Sequence, residues 1–128
     1  MNKQSRQGFL PLLILMTLSL NTHANDIECL SSIMYSEARG EPIEGAIAVG
    51  EATVNRAAGS SICKVQGVTK KTPPAALAPY YRAISKDLLA KSSNITLGAD
   101  GWDTGLRPRK NATITRRIGK HTFYKEKT

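Results

Sequence analysis

Three stretches of this chain repeat their apolar residues with a helical period, and one alternates with the period of a strand. Between Asp26 and Ala38, Cys29, Ile33 and Glu37 recur at i, i+4 and i+8, with Leu30 and Met34 beside them. Asp26 is placed as the N-cap of this first helix. Arg39 and Gly40 end it, Gly40 being suited to the left-handed position after a helix. A second helix is expected from Pro42, whose fixed φ and missing N–H suit a first turn, to about Arg56. Along it Ile43, Ile47, Gly50 and Val54 form a stripe. Ala46, Ala48 and Ala52 keep its surface small enough for close packing, so it reads as the central helix of the core. Residues 62–73 read as an irregular or short extended link. A third helix is expected from Pro74 or Ala75 to Lys91, broken or kinked near Pro79, with Leu77, Tyr81, Ile84, Leu88 and Leu89 on one stripe.

The period then changes. Ser92 to Lys110 is a loop rich in Gly, Asp and Asn that holds the only tryptophan, Trp102. Beyond it Ile114, Arg116 and Ile118, then His121, Phe123 and Lys125, alternate about Gly119-Lys120, which fits a two-residue type II′ turn. The expected fold class is α+β, mainly helical, with about three helices and a C-terminal β-hairpin in one small domain.

The first 24 residues stand outside this pattern. Lys3 and Arg6 precede an apolar run from Phe9 to Leu20 that is too short for a membrane span. Thr22-His23-Ala24 fits a small-residue cleavage site. Residues 1–24 are therefore expected to be a signal peptide, with an uncleaved anchor as the alternative, and residues 25–128 the working domain. Export makes the two cysteines, Cys29 and Cys63, candidates for a pair, although two buried thiols would also fit. A loop of about 35 residues closed in this way would contribute roughly 3–4 kcal/mol. Two cysteines and two distant histidines lack zinc spacing, so no metal is expected.

Charge is divided along the chain. Asn25 to Cys63 holds six acidic and two basic residues, whereas Lys64 to Thr128 holds fourteen basic and four acidic ones. The basic half fits an anionic partner such as a wall polymer or a membrane surface, or simply a solvated face. An export signal argues against nucleic acid.

Candidate chemistry centres on Glu37. A carboxylate whose backbone is held by a packed helix, but whose head faces a cleft, can have a raised pKa and serve as a general acid. A surface ion pair with Arg39 or Arg56 would explain the same residue. Glu41 reads as structural, near the start of the second helix, and Glu44 and Glu51 as solvated. The loop Gly98 to Gly105 can present Asp100, Asp103 and an aromatic platform, Trp102, to a sugar, or can be a plain connection with Trp102 plugged into the core. His121 is either a ligand contact or half-buried beside Phe123 and Tyr124. No Ser-His-Asp arrangement is supported.

Tyr35-Ser36-Glu37-Ala38-Arg39-Gly40-Glu41-Pro42, followed by Glu44-Gly45, Ala48-Val49 and Val54-Asn55-Arg56, resembles the SleB-type cell wall hydrolases. The closing Arg117-Ile118-Gly119-Lys120-His121-Thr122-Phe123-Tyr124 is similar to that family's terminal hairpin, and Cys29 and Cys63 fall where exported members carry a cysteine pair. The likeness brackets the chain from Ile27 to Lys125 and is thinnest between Lys64 and Pro79, and again at Gly98 to Trp102. It implies a lysozyme-like domain that cleaves the bond between N-acetylmuramic acid and N-acetylglucosamine, as a lytic transglycosylase. Glu37 would be the catalytic acid and base, and Tyr35, Asp100, Trp102, His121 and Tyr124 substrate contacts. A two-carboxylate hydrolase would need a second carboxylate at a defined separation from Glu37, with Asp100 or Asp103 as the candidates. The resemblance implies no cofactor, a monomer, peptidoglycan glycan strands as partner, and a periplasmic or extracellular site of action. A non-catalytic wall-binding module of the same fold is the alternative, and a secreted effector with the same chemistry another.

Overall fold

A computed structural model describes residues 24–91, 93–105 and 110–126. The expected signal peptide lies outside the described residues apart from Ala24, which is already helical. Helix α1 (residues 24–38) turns Leu30, Ile33, Met34 and Ala38 into the core, as its spacing predicts. Asp26 is not its N-cap. It lies within the helix, and its Oδ1 accepts from the Ile62 N–H at 3.0 Å, so it caps the short 3₁₀ turn Ile62–Lys64 instead. Cys29 and Cys63 form a disulfide beside this contact, tying α1 to the same turn.

Helix α2 (Ile43–Ala57) is the central helix, but of the expected stripe it buries only Gly50. Ile43 is exposed, and Ile47 and Val54 are only partly covered. The fully buried positions are Ala48, Val49, Ala52 and Thr53, with Gly45, Ala46, Gly50 and Glu51 beside them. Small residues all round let other elements approach from several sides. A Cβ at Gly50 would stand 2.5 Å from Leu88 Cδ1 and 2.6 Å from Met34 Sδ, so the glycine is what lets α2 touch both neighbours. Ala58 and Gly59, both at positive φ, then end the helix.

Helix α3 (Ala78–Ala90) starts later than expected and is not kinked at Pro79, which falls in its first turn where no N–H is needed. A separate turn occupies residues 75–77. The helix buries Tyr81 and Ser85, while Leu77 remains exposed. The Ser85 and Ser31 hydroxyls lie 2.9 Å apart where α3 crosses α1.

The C-terminal hairpin becomes a three-stranded antiparallel sheet. Strands β1 (Gly101–Asp103), β2 (Ala112–Ile118) and β3 (His121–Glu126) lie in the order β1-β3-β2. Gly119 takes φ +59°, and Lys120 does not have positive φ, the pattern of the expected type II′ turn. The ladder slips between Ile114 and Arg116, leaving Thr115 as an extra residue on β2. Two expectations give way here. Gly101–Asp103 is a strand rather than loop, because Trp102 pairs with Phe123 and Gly101 with Tyr124. β3 is therefore a central strand, and His121 to Tyr124 are all buried instead of alternating.

Candidate active site

Glu37 occupies the last turn of α1, beside the link that follows the disulfide. Its Oε1 accepts from the Thr69 N–H at 2.7 Å. Its neighbour Ser36 binds the same link twice, accepting from the Lys71 N–H and donating to the Lys71 carbonyl. Lys70 Nζ donates back to the Cys63 carbonyl at 2.7 Å, and Val65 before these contacts and Pro73 after them are buried. A segment with little regular structure is thus fixed at its start by the disulfide and Asp26, and in its middle by two consecutive side chains of α1.

Opposite the link stands β1. Asn55 Nδ2 donates to the Ala99 carbonyl at 2.8 Å, which ties the end of α2 to the approach of β1. The next residue, Arg56, faces the same space as Glu37. Together Glu37, Arg56, Gly67, Trp102, Asp103, Thr104 and His121 enclose a recess of about 270 Å³. The ion pair considered for Glu37 does not form: among the described residues no cation lies within 4 Å of its carboxylate. Asp103 Oδ1 accepts from the Gly105 N–H at 3.0 Å, and Thr122 Oγ1 donates to the Gly105 carbonyl at 2.9 Å, which shapes the rim.

The fold brings Trp102 and His121 to Glu37 but keeps other expected contacts apart. Tyr35, two residues before Glu37, lies on another face of α1. Its ring meets Tyr81 edge-on at 5.7 Å, and the Arg39 guanidinium lies 5.6 Å from its centre. Burial pushes the Tyr81 hydroxyl pKa up, and Tyr80 and Tyr35 add to this. Asp100 does not line the recess. It holds the end of the central strand, its Oδ1 accepting from the Glu126 N–H at 3.1 Å. Tyr124 is buried with its ring across Gly101, where a Cβ would stand 2.4 Å from the ring carbon that carries the hydroxyl. Arg56, Gly67 and Thr104 enter the recess without being singled out as sugar contacts. Arg56 could have been found from its place beside Asn55 at the end of the central helix.

A second carboxylate departs furthest from expectation. Glu51 is not solvated but 3% exposed. Its Oε2 accepts from Ser93 Oγ at 2.5 Å and the Ile95 N–H at 2.8 Å, and its Oε1 from Thr96 Oγ1 at 2.5 Å and the Thr96 N–H at 3.1 Å. Burial alone would raise its pKa, but the hydrogen bonds from Ser93, Thr96 and Ile95 outweigh it and hold the carboxyl below its ordinary range. Nothing in the local sequence announces this, because every donor lies more than forty residues away.

No family model matches the sequence, and no curated protein matches it. Solved structures that share the fold include the catalytic domain of the Bacillus cereus SleB protein. It matches with a TM-score of 0.60 and 22% identity, over 80% of this chain and 91% of that one. The catalytic domain of the germination-specific lytic transglycosylase SleB from Bacillus anthracis matches with a TM-score of 0.59 and 22% identity, over 79% of this chain and 94% of that one. The chain therefore has the SleB catalytic-domain fold, three helices and a C-terminal antiparallel sheet.

Proposed function

We propose that this protein is an exported enzyme that cleaves peptidoglycan glycan strands, with Glu37 as its general acid and base. The observation that carries the reading is the placement of Glu37. It sits at the end of a packed helix, with one oxygen held by the Thr69 N–H, in a recess that also holds an aromatic ring and an imidazole. The likeness in fold to a lytic transglycosylase supports the substrate class.

In this reading Glu37 protonates the oxygen between N-acetylmuramic acid and N-acetylglucosamine. Because Oε1 already accepts a hydrogen bond, the proton is carried on Oε2. The carboxylate left behind then takes the proton of the muramic C6 hydroxyl as that oxygen closes on C1, giving a 1,6-anhydro end. Trp102 offers a flat apolar face to a sugar ring, and Arg56 a fork of donors to hydroxyl or carboxylate groups. The basic C-terminal half favours approach to an anionic envelope, and the enzyme acts as a monomer in the periplasm or beyond it.

One observation favours a second outcome from the same site. Asp103 also lines the recess, and a second carboxylate there could activate water and make the enzyme a hydrolase. Digestion of purified peptidoglycan separates the possibilities by mass spectrometry. Anhydro-muropeptides from the unsubstituted protein, and none from Glu37→Gln, are expected. Reducing ends would make it a hydrolase. Full activity in Glu37→Gln would remove Glu37 from the chemistry, and intact sacculi with both proteins would leave a binding module.

A further inference from the structure

His121 stands in the wall of the recess with one ring nitrogen unaccounted for. The residue is 5% exposed, and its Nδ1 is the one buried side-chain nitrogen or oxygen among the described residues with no hydrogen-bond partner. Glu41 Oε1 lies 3.6 Å from it, too far for a hydrogen bond but near enough for its charge to act. Glu41 is itself fixed. The same oxygen accepts from the Lys120 N–H at 2.8 Å, and a Cβ at Gly119 would stand 2.6 Å from Oε2, so only a glycine turn lets the carboxylate lie there. The side chains of both residues are almost fully withdrawn from solvent.

A neutral imidazole carries its proton on one nitrogen and a lone pair on the other. With the proton on Nε2, the Nδ1 lone pair would face a carboxylate in a setting that screens charge poorly. With the proton on Nδ1, the N–H dipole points at that carboxylate and the contact becomes attractive. Nδ1 is buried against Glu41 while the ring lines the recess, so the edge turned to the recess carries Nε2.

We infer that Glu41 is a positioning residue. It holds His121 in the Nδ1–H tautomer, so that the recess shared with Glu37 presents a hydrogen-bond acceptor, Nε2, to a donor on the bound glycan. This rests on the proposed function, under which the donors are the sugar hydroxyls and acetamido N–H groups of peptidoglycan. The wall then has complementary polarity. Arg56 donates and His121 accepts, which favours a ligand edge that carries both kinds of group.

Two measurements on the full-length protein test it, and only one depends on the ligand. Two-bond ¹⁵N–¹H correlation on histidine-labelled protein, at mildly alkaline pH, reads the tautomer directly. The chain has two histidines, and His23→Gln assigns the other signal. His121 is expected as Nδ1–H, and Glu41→Gln is expected to move it toward Nε2–H. Glycan affinity is read from the fluorescence of the single tryptophan, Trp102, in a Glu37→Gln background that prevents turnover. Adding Glu41→Gln should raise the Kd for soluble glycan strands about tenfold, the loss of one well-placed hydrogen bond. An Nε2–H signal in the unsubstituted protein overturns the inference, as does a tautomer that Glu41→Gln leaves unchanged. Glycan that never alters Trp102 emission, with Nδ1–H in place, overturns the ligand and the proposed function together, while Glu41's hold on the ring stands.

Discussion

Glu51 and Glu37 are both glutamates on helices of the core, yet the fold uses them in opposite ways. Glu51 lies in the middle of α2 and receives four hydrogen bonds from the segment 93–96, two on each oxygen. Every favourable direction around it is filled. It works as a clamp that holds the connection between α3 and the sheet against the central helix. Among the described residues Glu37 receives one hydrogen bond, on Oε1, and it faces a recess of about 270 Å³. Burial and saturation make a carboxylate structural. Partial burial with an oxygen left free makes it available for chemistry.

The sharpest way to break this contrast is to neutralise each carboxylate in turn. Glu37→Gln is expected to lower the rate of glycan cleavage by roughly 10²–10⁴-fold, measured by muropeptide release, with little change in thermal stability. Glu51→Ala should do the reverse. It strands buried donors at Ile95 and Thr96, so unfolding should become easier by about 3 kcal/mol, read from urea denaturation. Activity per folded molecule should hold. If Glu51→Ala lost activity while staying equally stable, the clamp reading would fail.

Acid offers a gentler test of the same difference. The Glu51 carboxyl is held below its ordinary range in the folded state, so the unfolded chain binds the proton more readily. Its contribution is complete above the ordinary carboxylate range and is lost as pH falls through the lowered folded value. Glu51→Gln should therefore flatten the acid limb of a stability–pH curve, measured by denaturant midpoints. An unchanged limb would assign the acid sensitivity elsewhere. The smallest effect is expected at Gly50→Ala, which adds a methyl between Leu88 and Met34. Overpacking should outweigh the better helix propensity by about 1 kcal/mol, leaving the pH dependence untouched.

The parts legible in the sequence were those with a local cause. The stripe Leu30, Ile33, Met34 placed α1, Pro42 and the Ala57–Ser61 stretch bounded α2, and Gly119-Lys120 set the hairpin turn. Glu37 stood out because a carboxylate extended an apolar face. The resemblance in two motifs led to the fold that the solved SleB domains share. Three misreadings have one source. Asp26 looks like a helix cap until Ile62 lies beside it, Glu51 looks solvated until Thr96 does, and β1 looks like loop until β3 supplies its ladder.

By itself the sequence determined the helical periods, the turn at Gly119 and the prominence of Glu37. Each of these depends on neighbours a few residues apart or on a residue type with little freedom. Only the tertiary structure decided which polar groups meet. It drew Trp102 and His121 to Glu37 while sending Tyr35, Asp100 and Tyr124 to other duties, and it set Glu41 against His121 across 80 residues of chain. Hydrogen bonds and charges act over a few ångströms in space. Residues far apart in sequence acquire such partners only when the core between them has closed.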